Sequence, residues 1–131
     1  MQSEYKMTLP LQTPDTAGDE GRPILEKAQA QVGFLPNMYK GMVNSPALLD
    51  TYLFGYAAFR AHSAFTPQEQ EVVFLTVSRD NGCEYCVSAH SLIADKMTMV
   101  PEAVTDAIRD GTPIPDAKLA ALSAFTHVMT S

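Results

Sequence analysis

An all-α protein is what this sequence predicts, and three observations predict it. Pro23, Pro46, Pro67, Pro101 and Pro115 each stand just before a segment with helical spacing. Proline suits the first helical position, because that amide has no intrahelical partner and φ is already set. Within the segments, apolar residues recur at the helical interval, as in Leu48, Leu49, Tyr52, Leu53, Tyr56 and Phe59. No strand alternation, hairpin signal or internal repeat stands out along the chain.

The elements follow in order. Residues 1–21 contain Pro10, Pro14, Gly18 and Gly21 with little periodicity, so they read as an extended arm. Ile24, Leu25, Ala28 and Val32 predict a short helix closed by Gly33, and Pro36 to Tyr39 open another that ends before Pro46. The long helix from Pro46 has Ser45 as its N-cap, and Gly55 within it marks a close helix–helix approach. Over 67–80, Val72-Val73-Phe74-Leu75 is apolar enough to suit a strand. Thr66, with Glu69 three residues on, is a capping-box pattern and decides for a buried helix. Asn81-Gly82 ends it, and a new helix runs from about Cys83 to about Met97. Pro101 to Asp110 is closed by Gly111. The last helix carries Leu119, Leu122, Phe125, Val128 and Met129 on one face and reaches Ser131 without a glycine or a basic last turn. Such an end points either to a fragment, truncated at its C-terminus, or to an end that packs on another subunit.

The chain of 131 residues has room for one core, and a single domain over 22–131 follows the arm. A chain of this size buries roughly 68% of its unfolded surface, enough to fold without staples. Its net charge of −6 and the absence of any Lys or Arg cluster argue against nucleic acid and against an anionic membrane surface. The N-terminus lacks a secretory pattern, and Asp50, Arg60 and Glu71 break the apolar stretches before any reaches a membrane span. A cytoplasmic protein is the default reading.

The chemistry concentrates at Cys83, Cys86 and His90. Offsets of three and four residues bring all three onto one face of a helix that starts near Cys83. The helix start offers free N–H groups and the positive end of the macrodipole, which favour a thiolate. His90, one turn beyond Cys86, can exchange a proton with a sulfur directly or through water. Two thiols three residues apart can also close a disulfide there, so the set describes a redox centre.

Other readings fit less well. A closed zinc site needs a fourth ligand, from Glu71 or His62, and a second paired motif is absent. Covalent haem attachment needs His directly after the second cysteine, where Val87 stands. A thioredoxin-like fold needs βαβ patterning. Inert core cysteines do not suit a helix start as polar as Glu84-Tyr85 and Ser88 make this one. A lone Glu on the preceding helix is most often a solvated side chain, as Glu69 and Glu84 read. Glu71, followed by Val72 to Leu75, stands where it can project inward and there orient the His90 imidazole. His62 reads as a cap or surface residue, and His127 shows no comparable setting.

Glu71, eleven intervening residues, and then Cys83-Glu84-Tyr85-Cys86-Val87-Ser88-Ala89-His90 resemble the signature of the alkylhydroperoxidase AhpD-like proteins. These belong to the wider carboxymuconolactone decarboxylase family. Gly33 to Met38 and Ser45 to Leu49 are similar to the upstream part of its peroxidase-related members. The resemblance implies a compact helical bundle of the AhpD-like type with a catalytic Cys-x-x-Cys at a helix N-terminus, and no metal or other cofactor. It implies a hydroperoxide-reducing thiol centre in which Cys86 is oxidised to sulfenic acid and Cys83 is its proton donor and resolving partner. His90 and Glu71 form the proton relay. Where the best-known alkylhydroperoxidases have a second histidine between the cysteines, Tyr85 stands before Cys86 here. The implied partners are a hydroperoxide, an external thiol reductant or redox adaptor protein, and further copies of the chain in a trimer or hexamer. A general disulfide oxidoreductase and a non-catalytic redox-sensing subunit are the alternatives.

Overall fold

Seven α-helices and no strand make up the described residues, 7–131, of the computed structural model. They are α1 (Gly18–Val32), α2 (Asn37–Met42), α3 (Pro46–His62), α4 (Pro67–Asp80), α5 (Glu84–Lys96), α6 (Glu102–Asp110) and α7 (Ala117–Thr130). The all-α expectation holds. The chain forms two units, one ending at Ser63 and one from Ala64 to Ser131, and each has its own core. None of the helices is long and apolar enough to cross a membrane among the described residues.

In the first unit, Leu25 and Ala28 of α1, Tyr39 of α2, Val43 and Leu49 are buried together. The arm is shorter than expected, since α1 already begins at Gly18, and residues 1–6 lie outside the described residues. Pro23 therefore sits inside α1 and not at its start. Asp19 and Glu20 in the first turn complement the helix dipole. Gly21 is buried, and a Cβ there would come within 2.9 Å of Val43 Cγ2, so glycine is present for close packing. Gly55 is a different matter: among the described residues a Cβ at that position meets nothing within 4 Å, and the close approach expected there is not found among them. Ser45 holds the N-cap position of α3, but its hydroxyl makes no capping bond.

The second unit is built around α4, which packs against α5, α6 and α7. Val72 and Leu75 are fully buried with Ala94, Val100, Val104, Ile108 and Leu119. Each Val, Leu or Ile side chain among them contributes about 1.5–3 kcal/mol by leaving water. The capping box forms as predicted: Glu69 N donates to Thr66 Oγ1 at 3.2 Å, and Thr66 N donates to Glu69 Oε2 at 2.9 Å. Glu69 is not the solvated side chain expected. It is buried to 8% exposure and its other oxygen meets Lys118 Nζ of α7 at 2.6 Å. The cap and the Lys118 contact together hold the carboxylate between α4 and α7. Asp116 caps α7 by accepting from Leu119 N at 2.9 Å, one residue after the predicted Pro115 start.

Gly111 closes α6 at φ +70°, where an added Cβ would run into the Arg79 guanidinium. Gly111→Ala is expected to destabilise the protein by about 1–2 kcal/mol, because a Cβ is strained in the left-handed region. Gly55→Ala should stabilise it by roughly 0.5–1 kcal/mol, since it lies inside a helix with space around it. Urea midpoints of the two variants check both signs.

The Glu69 carboxyl is held below its ordinary value of 4.5, first by the Lys118 hydrogen bond and then by the Thr66 amide. A lowered carboxyl contributes stability above its ordinary value and loses it as the pH falls through the lower folded value. Glu69→Gln is therefore expected to be less stable near neutral pH. Its stability should also fall less steeply than wild type below pH 4.5, as a series of urea unfolding curves would show.

Candidate active site

α4 and α5 supply the predicted residues. α4 ends at Asn81, Gly82 takes φ 64°, and Cys83 N donates to Ser78 O at 2.9 Å. That turn reverses the chain so that α5 packs back along α4. Cys83 is the N-cap of α5 with extended backbone, and its Sγ accepts from Cys86 N at 3.2 Å. The two cysteines are joined as a disulfide, with Cα atoms 5.3 Å apart, inside the span a disulfide requires. Both are half-buried. The disulfide therefore sits at the helix end, within reach of solvent.

Glu71 is fully buried on the face of α4 that carries Val72 and Leu75 into the core. Its Oε2 lies 2.8 Å from His90 Nδ1, and the imidazole is 12% exposed. A buried carboxylate costs several kcal/mol of desolvation unless it is paired, and this contact supplies a partner. An ionised carboxylate can only accept, so the proton of the neutral imidazole is fixed on Nδ1 and Nε2 is left as the basic nitrogen. Cys86 and His90 are one turn apart on α5 and share a face. Glu71 and His90, expected to act together, are thus in direct contact.

One neighbour of the site escaped the sequence reading. Phe74 lies flat on the His90 ring, with centroids 4.6 Å apart and planes 11° from parallel. In the sequence it is one of four apolar residues in a run, Val72 to Leu75. The available signal was its place three residues after Glu71, which puts both on one side of α4.

The remaining histidines lie elsewhere. His62 is the exposed last residue of α3, in keeping with a surface role. His127 has a setting the sequence did not reveal, with its Nδ1 2.7 Å from Asp80 Oδ2. Glu84 is exposed, as expected. Among the described residues, no three His, Cys, Asp or Glu side chains converge to hold a metal ion.

Fold and site together define an all-helical protein with a Cys-x-x-Cys disulfide at a helix N-terminus, beside a buried Glu–His pair. The chain belongs to the carboxymuconolactone decarboxylase family, whose model matches residues 46–127. Its structure is similar to the crystal structure of an alkylhydroperoxidase AhpD core, an uncharacterized peroxidase-related protein from Ralstonia eutropha JMP134. The TM-score is 0.73 at 23% sequence identity, over 89% of this chain and 63% of that one. That likeness establishes the AhpD fold, and the chain spans less than two thirds of that protein's length. No curated protein matches the chain.

Proposed function

We propose that the protein is a thiol-dependent hydroperoxide reductase that cycles between dithiol and disulfide. The observation that carries this reading is the Cys83–Cys86 disulfide on the same helix start as His90, with His90 bonded to buried Glu71 at 2.8 Å. Family membership and the AhpD fold support it.

In the reduced enzyme His90 takes the Cys86 thiol proton. The thiolate attacks the terminal peroxide oxygen, the O–O bond breaks, and Cys86 becomes a sulfenic acid while alkoxide leaves. His90 returns the proton to the alkoxide, giving the alcohol. The Cys83 sulfur then attacks the sulfenic sulfur, and its proton and the hydroxide depart as water. The product is the disulfide, and an external dithiol or redox adaptor protein restores both thiols by exchange. Glu71 acts throughout by holding the His90 ring and balancing the imidazolium. The cycle requires a reducing compartment, so we place the protein in the cytoplasm. It needs no metal and no organic cofactor.

The family match crosses the boundary between the two units, which supports treating 22–131 as one AhpD-like domain. We also propose a homo-oligomer, a trimer or hexamer. Val72 and Leu75 are absorbed by the chain's own core. Other large apolar side chains stay in water: Leu48 and Phe54 on α3, Tyr85 and Leu92 on α5, and Phe125, Val128 and Met129 on α7. Phe54 is 79% exposed, more than a lone chain gains anything by showing. Sedimentation at micromolar concentration should give a multiple of the chain mass, and a monodisperse monomer would overturn the assembly.

Cys83→Ser is expected to consume about one equivalent of peroxide and stall with a trappable sulfenic acid on Cys86. Cys86→Ser should leave peroxide almost untouched. Glu71→Gln should keep the fold and slow turnover ~10²-fold, the lower end for a lost acid–base element. Reversal of the two cysteine phenotypes would invert their roles. Disulfide exchange without peroxide consumption by the wild-type protein would replace this reading with a general disulfide oxidoreductase. Absence of both activities would leave a redox-sensing subunit.

A further inference from the structure

We infer that Phe74 is a positioning residue for His90: its ring sets the plane of the imidazole and so the direction in which Nε2 meets the thiol. The inference deepens the peroxidase reading and rests on it for its kinetic consequence, although the positioning itself does not.

The geometry carries the argument. The Glu71 contact fixes one point on the imidazole, Nδ1, at 2.8 Å from a carboxylate oxygen. One hydrogen bond leaves the ring free to rock about that contact, because the two-fold torsion at the ring is broad. A second restraint must act on the plane, and the Phe74 face, parallel to within 11° and 4.6 Å away, supplies it. Both restraints come from α4, three residues apart, and the ring they hold comes from α5. α4 is anchored at one end by the Thr66–Glu69 box and along its length by Val72 and Leu75 in the core. Carboxylate and aromatic face therefore share one rigid support. The imidazole is only 12% exposed, so little water competes for its orientation.

The chemistry needs this second restraint. His90 accepts a proton from Cys86 and later gives it to the departing alkoxide, and both transfers depend on where the Nε2 lone pair points. Tilting the ring about the Glu71 bond keeps that bond yet changes the direction of Nε2. A flat aromatic face resists the tilt, and an aliphatic side chain of similar bulk does not.

The test compares Phe74→Leu with Phe74→Tyr, using a small organic hydroperoxide and a dithiol reductant. Leu keeps apolar volume without a plane, and Tyr keeps the plane. We expect Phe74→Leu to lower kcat about ten-fold with KM for peroxide unchanged, and Phe74→Tyr to stay within about two-fold of wild type. In the same samples, the Nδ1–H proton of ¹⁵N-labelled His90 should be sharp by NMR in wild type and Tyr, and broadened in Leu as the ring rocks. Wild-type kcat in the Leu variant, equal losses in both variants, or an unbroadened His90 signal in Leu would each overturn the inference. If the wild-type protein consumes no peroxide while the NMR contrast appears, the peroxidase reading fails and the positioning of His90 stands. If Phe74→Leu does not fold, the Tyr variant decides alone: a broadened His90 signal there contradicts the role.

Discussion

A carboxylate with no exposed surface is the constraint around which the second unit is arranged. Glu71 sits among Val72, Leu75 and the rest of the core, where an unpaired charge would cost more than several of those apolar contacts contribute. The His90 contact at 2.8 Å is a partner that helps make burial tolerable. Whatever holds α4 and α5 together therefore also preserves this pair. The capping box fixes where α4 begins, Gly82 permits the reversal after it, and the Ser78 carbonyl receives the Cys83 amide. Core packing and site geometry are in this sense one requirement.

That arrangement divides the labour between the two helices. α4 is buried on several sides and carries the groups that must not move, Glu71 and Phe74. α5 begins at the surface and carries Cys83 and Cys86, which on the proposed reading react with molecules from outside. A thiol pair at a helix start can be reached by an external reductant and stabilised as thiolate by the helix end. His90 belongs to both, one turn beyond Cys86 on α5 and held from α4.

The sequence was most legible where chemistry and local backbone rules coincide. The bounds of α4 follow from Thr66, Pro67 and Asn81-Gly82, because caps and glycine act within a few residues. The Cys83, Cys86, His90 face needs only the helical repeat. Pairing of Glu71 with His90 was foreseen because an acidic residue leading an apolar run has to point somewhere. What was not legible depends on tertiary neighbours. Gly18 and Gly21 read as arm, yet Gly21 is helical because Val43 packs against it. Gly55 promised a close approach that is not found among the described residues. The Glu69–Lys118 and Asp80–His127 pairs join residues nearly fifty positions apart, and no local pattern announces such contacts. Phe74 was hidden for a simpler reason: an aromatic ring in an apolar run looks like core until its neighbour is known.

The central claim is that Cys83 and Cys86 form a working dithiol, not a structural staple. It is tested most directly by intact mass after full reduction, one equivalent of organic hydroperoxide, and alkylation. The account predicts that both alkylation sites disappear together, with the loss of two hydrogens and no added oxygen, and that a dithiol restores both. Protein that still takes up two alkyl groups after peroxide, or that accumulates oxygen on one cysteine without closing the disulfide, would contradict it.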